Sequence, residues 1–351
     1  APDAQNDAGI KGGHIYNMGP SIPFPINGTV AHITFSHTVN RKIQYIFQKK
    51  LFDIIHIHEP LLPGLSLAAL RASNAITIGT FHAYPEAQLL SVPSLGYAAL
   101  APLARSAFCR LTGRIAVSSV AQQFVAHFFP AEYCVIPNGV DTDRFNPRIP
   151  PLPEFMDDKR NILFVGRFDQ RKGAKYLAQA ISLIRTHHPR TRFLFVGDGH
   201  LRPYLQRLVR QQGWPDVLFA GYVPADILPR YFASAHVFCS PATGGESMGI
   251  VLLEAMASGI PLVATAIPGY MTVAEDGKDA LLVAPRDSND LAQAINRLLA
   301  DPHLYQQLRI QGLEKACGFA WSSVAQRIEG YYLELLETSK VDNVSSKHHV
   351  L

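Results

Sequence analysis

Short apolar runs rich in Val, Ile and Phe alternate along this chain with longer stretches whose apolar positions recur at helical spacing. In the first half the runs predict strands over residues 53–57, 75–80, 114–117 and 134–136. Helices are predicted over 63–72 and 119–129, with a further helical stretch leading to Arg110. In the second half strands are predicted over 162–165, 193–196, 217–220, 237–239, 261–264 and 280–283, with helices between them and a final helical region over 291–337. The strands do not alternate apolar with polar positions, so both of their faces need cover. That is the signature of a parallel sheet between helices, an α/β protein. Segment 40–51 reads as a basic amphipathic helix. Ile43, Ile46, Phe47 and Leu51 fall near one face, and Arg41, Lys42, Lys49 and Lys50 sit at its ends. Such a helix either buries its apolar face in a core or lies on an anionic membrane surface with its aromatics dipped in.

The alternation breaks at Pro137-Asn138-Gly139, Asn146-Pro147 and Ile149-Pro150-Pro151-Leu152-Pro153, followed by Asp157-Asp158-Lys159-Arg160. A proline-rich, polar stretch of this kind reads as an interdomain linker. The expected division is one α/β domain over 1–150 and a second over 151–318, with the polar residues 338–351 as a disordered tail. Doubly wound sheets bind ligands in crevices outside the carboxyl ends of their strands.

Composition agrees with two buried cores: 48% of the 351 residues are hydrophobic, with 19 Phe and 13 Tyr. This excludes a disordered or low-complexity chain. The net charge of +4 is too small to argue for nucleic acid as a partner. Its distribution is uneven, because residues 11–130 carry 9 Lys/Arg against 3 Asp/Glu. A basic first half suits an anionic lipid or a phosphorylated substrate. Cys109, Cys134, Cys239 and Cys317 show no metal or redox spacing, so reduced thiols and a cytoplasmic setting are expected. The longest uncharged run, 87–104, contains Pro93 and Pro102 and lacks the apolar density of a membrane span. The irregular stretch beginning at Ala1 reads like the middle of a protein.

The densest chemical signal is Gly244-Gly245-Glu246-Ser247-Met248-Gly249-Ile250-Val251-Leu252-Leu253-Glu254. A glycine pair after a strand opens a helix whose free N–H groups and macrodipole suit phosphate oxygens. Glu246 in the loop and Glu254 inside the helix, with seven residues between them, suit hydroxyls on two parts of one ligand. The second signal is Val165-Gly166-Arg167-Phe168-Asp169-Gln170-Arg171-Lys172-Gly173, at the end of another strand. Arg167 offers a bidentate fork and Lys172 a point charge, which match the two phosphates of a diphosphate and can offset charge on a departing one. Phe195-Val196-Gly197-Asp198-Gly199 is either a weak phosphate loop or a plain tight turn. In the first half, Phe81-His82 ends a strand, where the imidazole can hydrogen-bond a reacting oxygen. His56, His58 and Glu59 have superficial metal-ligand character, but i, i+2 on a strand leaves them without a third ligand.

Together with Pro137-Asn138-Gly139-Val140-Asp141, these motifs resemble the family-4 retaining glycosyltransferases of the GT-B fold, two Rossmann-like domains facing a central cleft. The similarity runs over about 13–331. Ile22-Pro23-Phe24-Pro25-Ile26-Asn27-Gly28-Thr29-Val30 and His56-Ile57-His58-Glu59-Pro60 look like the phosphatidylinositol α-mannosyltransferase group of that family. The resemblance implies that Arg167 and Lys172 grip the donor diphosphate, Glu246 the donor sugar and Glu254 the ribose. Met248, Gly249 and Ile250 would turn their amides to the sugar and phosphates. The stretch 221–224, Val223 included, would lie by the nucleobase. His82 would stand beside the reacting centre, with Asn27 and Thr29 on the acceptor side. It further implies a helix over 319–337 crossing back to the first domain, and a first strand, loop and helix that this chain lacks.

The implied reaction is same-face attack by an acceptor hydroxyl, without metal or other cofactor. It would carry a hexose, mannose from GDP-mannose first, to a phosphatidylinositol-like acceptor on the cytoplasmic face of a membrane. Ile26, His32, Ala83 and Ala87 depart from the group's acceptor side, which leaves the acceptor open. UDP-glucose or UDP-galactose transfer to diacylglycerol or a soluble acceptor, a nucleotide-sugar epimerase, and a non-catalytic nucleotide-sugar-binding fragment are the alternatives.

Overall fold

Each apolar run of the second half is a strand of one parallel sheet. The computed structural model describes residues 4–5, 14–26, 29–34, 37–82 and 104–347. The chain divides into two compact units, 1–136 with 327–351, and 137–326.

In the second unit β9 (Arg160–Val165), β10 (Thr191–Val196), β11 (Val217–Gly221), β12 (Val237–Ser240), β13 (Leu262–Thr265) and β14 (Leu281–Val283) pair in the order β11-β10-β9-β12-β13-β14. All the pairings are parallel. Successive residues of a strand feed opposite faces. Ile162, Phe164, Phe193 and Phe195 enter one core, and Leu163, Leu194 and Val196 the other. That is why these strands carry no polar alternation. On the first face the Phe195 and Phe219 rings stack with centroids 5.2 Å apart, and Phe168 meets Phe195 edge-on. On the second face Phe232, Phe238, Leu252 and Tyr270 are fully buried.

The first unit is also parallel α/β. Its strands β5 (Ile54–His58), β6 (Ile76–Phe81), β7 (Gly113–Ala116) and β8 (Cys134–Val135) pair in chain order. A separate antiparallel hairpin joins β3 (Ile22–Ile26) to β4 (Thr29–Ile33), and two short strands, β1 (Ala4–Gln5) and β2 (Ile15–Tyr16), pair antiparallel. Helices α1 (His37–Lys49), α2 (Leu65–Ala72) and α3 (Ser119–Phe128) complete the alternation. Ser118 caps α3 by accepting from the Ala121 amide. In the second unit α4 (Ala174–His187), α5 (Arg202–Gln212), α6 (Leu228–Ala233) and α7 (Ile250–Ala257) follow β9, β10, β11 and β12 in turn.

Three expectations change. The units part between Ile136 and Pro137, ahead of the proline-rich stretch. That stretch is fastened to the second unit: Arg230 donates to the Pro150 and Pro151 carbonyls, and the Leu152 amide donates to Ser234 Oγ at 2.8 Å. Second, the final helix runs over Trp321–Lys347, through residues expected to be disordered. Residues 331–347 hold no proline or glycine to stop it. Third, α1 buries Ile43 and Ile46 at 3% and 8% exposure, so these side chains are unavailable to a lipid surface. Leu51, 98% exposed, faces solvent instead, with Tyr45 and Phe52 exposed nearby.

Phe195→Ala is expected to cost about 3–5 kcal/mol, since it empties the ring cluster on one face of the second sheet. The measurement is the urea midpoint of the unit's unfolding transition, and an unchanged midpoint contradicts this packing.

Candidate functional site

The sheet order of the second unit reverses between β9 and β12, and the chain leaves these neighbouring strands in divergent directions. Such a switch point opens a crevice at the carboxyl ends of the strands. Residues 166–173 follow β9 and lead into α4, and residues 241–249 follow β12 and lead into α7. The two connections touch. Gly173 has φ 71°, and a Cβ there would stand 1.9 Å from the Pro241 carbonyl oxygen. Only glycine fits such an approach. The Thr243 amide donates to the Arg171 carbonyl at 2.8 Å. From a third side, a Cβ on Gly269 would lie 1.8 Å from the Glu246 carbonyl oxygen.

Charged groups from both connections meet here. Arg171 Nη1 donates to Glu246 Oε1 at 2.5 Å and to the Gly245 carbonyl at 2.9 Å. Lys172 Nζ reaches the same Glu246 oxygen at 2.8 Å. Asp169 accepts from the Lys172 amide at 2.8 Å and lies 3.1 Å from Arg167 Nη2. Three cations therefore face two carboxylates. Buried Arg171 Nε hydrogen-bonds no partner among the described residues, and Arg167 Nη2 has only its ion pair with Asp169. A buried donor without an acceptor is costly in a finished core and suits a site that receives an anion.

Next to this cluster α7 begins without a side-chain cap. The Met248, Gly249 and Ile250 amides donate to no acceptor among the described residues, so the positive end of the helix is open. Glu254 lies one turn inside. Burial raises its pKa to about 7, while Arg144 and Lys172 oppose the rise. Arg144, which no spacing in the sequence singles out, donates to the Ala225 carbonyl and stacks over Phe145. In the stretch 221–224, Tyr222 is 84% exposed and Val223 packs partly against the core. The Gly197-Asp198-Gly199 segment is a turn: the Gly197 amide is taken by Gly221 and the Gly199 amide by Asp198.

The structure thus gathers Arg167, Lys172, Glu246, Glu254 and the Met248–Ile250 amides in one unit. Sequence reasoning gave Arg171 no role, although it sits between the two named cations. His82 belongs to the first unit, just past β6. Its Nε2 lies 2.7 Å from His58 Nδ1, and its amide donates to Glu59 Oε1 at 2.7 Å. His56 and His58 do share a face, with ring centroids 4.8 Å apart. Among the described residues no His, Cys, Asp and Glu group is placed to hold a metal ion. Asn27 lies outside the described residues, and Thr29 is placed only as a residue of β4.

Residues 4–144 match the family model described as Glycosyltransferase Family 4, and residues 159–301 match Glycosyl transferases group 1. The phosphatidyl-myo-inositol mannosyltransferase of Mycobacterium leprae is 33% identical over 330 residues, which span 93% of this chain and 85% of that protein. The chain belongs to glycosyltransferase family 4. The protein of the same name from Mycolicibacterium smegmatis is 32% identical and covers 91% of this chain and 81% of its own length.

Solved structures agree on the fold of this glycosyltransferase. A glycosyltransferase from Rickettsia africae superposes with TM-score 0.73 at 19% identity, covering 87% of this chain and 84% of its own. Sucrose-phosphate synthase from Thermosynechococcus elongatus superposes with TM-score 0.72 at 23% identity, covering 96% and 86%. The fold is therefore GT-B.

A carboxyl whose native pKa lies above its unfolded value weakens folding as pH rises between the two. For Glu254 that window runs from 4.5 to about 7. Glu254→Gln is accordingly expected to stabilise the ligand-free enzyme at pH 8, on the order of 1–3 kcal/mol. The gain should vanish below the lower end of the window. Thermal midpoints of both forms across pH check this, and a pH-independent difference contradicts it.

Proposed function

We propose that this glycosyltransferase transfers mannose from GDP-mannose to a lipid-linked, phosphatidylinositol-like acceptor with retention of anomeric configuration. The observation that carries the reading is the Arg167–Arg171–Lys172–Glu246 cluster beside an uncapped helix start, at the switch point of the second sheet. The named activity of the mycobacterial relatives supports the choice of sugar and acceptor.

In this mechanism the diphosphate lies against Arg167 and Lys172 and accepts from the Met248–Ile250 amides. Lys172 leaves Glu246 for a phosphate oxygen, while Arg171 keeps hold of the Glu246 carboxylate. Glu246 then fixes the sugar hydroxyls, and Glu254 the ribose. The acceptor hydroxyl attacks the anomeric carbon on the face the diphosphate is leaving. As the carbon–oxygen bond to phosphate breaks, the hydroxyl proton passes to the departing phosphate oxygen. The cations offset the charge that develops there, in the place a metal occupies in other transferases. His82 serves the acceptor side.

Docking on the cytoplasmic face of a membrane completes the proposal. Among the described residues no helix is long and apolar enough to cross one. Arg41, Lys42, Lys49 and Lys50 of α1 and its C-terminal flank, with exposed Tyr45, Leu51 and Phe52, suit an anionic lipid surface.

The first test is calorimetric titration with GDP and with UDP, without added metal. Tighter GDP binding is expected, followed by transfer of labelled mannose to phosphatidylinositol vesicles. A preference for UDP overturns the mannosyl donor, and binding of neither removes the donor site. Arg167→Ala combined with Lys172→Ala should weaken GDP binding about 100-fold or more, as expected for lost charge-assisted bonds. Glu246→Gln should abolish transfer with GDP binding unchanged or tighter, because Lys172 loses a competing partner. Undiminished turnover would take Glu246 out of the site.

A further inference from the structure

We propose that His58 is a positioning residue for His82, fixing the orientation and tautomer that the His82 ring presents to the acceptor. This rests on the acceptor-side role of His82 given above.

Parallel pairing of β5 with β6 sets His58 opposite Thr80, so His82, two residues on, comes within reach of the His58 ring. The two imidazoles are both hydrogen-bonded, Nδ1 to Nε2 at 2.7 Å, and stacked, with centroids 5.0 Å apart and planes 26° apart. Behind them His56 stacks on His58 at 4.8 Å and 16°. His56 is itself clamped at both nitrogens, by Tyr332 Oη at 2.5 Å and Thr80 Oγ1 at 2.6 Å. The backbone of His82 is held as well. Its amide donates to Glu59 Oε1 at 2.7 Å, and Glu59 stands at φ 49° with its own amide on the Thr80 carbonyl. A non-glycine residue in that region is held there by its surroundings. The three rings thus form a stack anchored at one end by a helix tyrosine and ending at His82.

A neutral imidazole has one donor nitrogen and one acceptor nitrogen. Because His82 Nε2 is committed to His58, only Nδ1 is left for a substrate oxygen. Its role is the reverse of the one Nε2 plays toward His58. His58 therefore decides whether His82 offers the acceptor a proton or a lone pair. The stack also keeps the rings uncharged. Burial lowers His56 and His82 to about 4, with the neighbouring imidazoles adding to the effect, and burial lowers His58 as well. The other titratable groups facing the stack among the described residues are Glu59, beside His82, and Tyr332, on the terminal helix.

The experiment compares His58→Leu, His58→Asn and His82→Ala in mannosyl transfer to phosphatidylinositol vesicles over pH 4–8. His58 is only partly enclosed by the stack and lies outside the hydrophobic core, so its replacement leaves that core intact. For His58→Leu, kcat should fall at least tenfold with KM for the donor unchanged. The acid limb of kcat should also move up, because the neighbouring imidazole that adds to the lowering of His82 by burial is gone. Asn, whose amide can stand near the position of the imidazole Nδ1, should restore most of kcat. Nitrogen-15 spectra of the His82 ring should show a fixed tautomer in the parent and a mixture in His58→Leu. If His82→Ala abolishes transfer while His58→Leu leaves kcat, the acid limb and the tautomer unchanged, the proposal is overturned and the role of His82 stands. If His82→Ala is fully active, the role of His82 fails first.

Discussion

The reversal of strand order between β9 and β12 is the constraint on which the candidate site of the second unit depends. Right-handed crossovers send the chain from β9 toward one side of the sheet and from β12 toward the other. The connections after these two strands start side by side, and the end of the short basic loop, residues 171–173, packs along the glycine-rich loop over 241–246. There Glu246 takes a proton donor from both Arg171 and Lys172. Without that carboxylate the cations would repel each other in a partly dry crevice. With it they are held close, each paired to one carboxylate oxygen.

Burial acts in opposite directions on the titratable groups of the two units, with one result. It raises Glu254 and lowers His56, His58 and His82, so each is pushed toward its neutral form. The positive charge that remains is concentrated on Arg167, Arg171 and Lys172. That division suits a reaction in which the leaving group carries the negative charge and the nucleophile is an uncharged hydroxyl.

Most of the scaffold was legible in the sequence because its strands are buried on both faces, and their short length and richness in Val, Ile and Phe separate such apolar runs from buried helix segments. Segments whose state depends on distant partners were not legible. The prolines at 150 and 151 look like a linker until Arg230, some eighty residues on, is seen to hold their carbonyls. Residues 338–347 look like a tail because hydrophobic pattern is a weak guide to a polar helix continued from a packed one. At the candidate site the two loops of the second unit lie in contact. The pairing of Arg171 with Glu246 escaped notice because it joins two motifs seventy-five residues apart. His58 and His82 lie on neighbouring strands, and the recurrence of histidine at two strand ends was the one available signal.

The close approaches at Gly173 and Gly269 bear on how such a site can diversify. The basic loop is pressed against the Pro241 carbonyl, and the glycine-rich loop against the turn that holds Gly269. Insertions or deletions in either loop would pull these contacts apart. Over evolutionary time, the site is therefore open to change mainly by point replacements along its free rim, such as exposed Tyr222, while the two loop backbones keep their lengths.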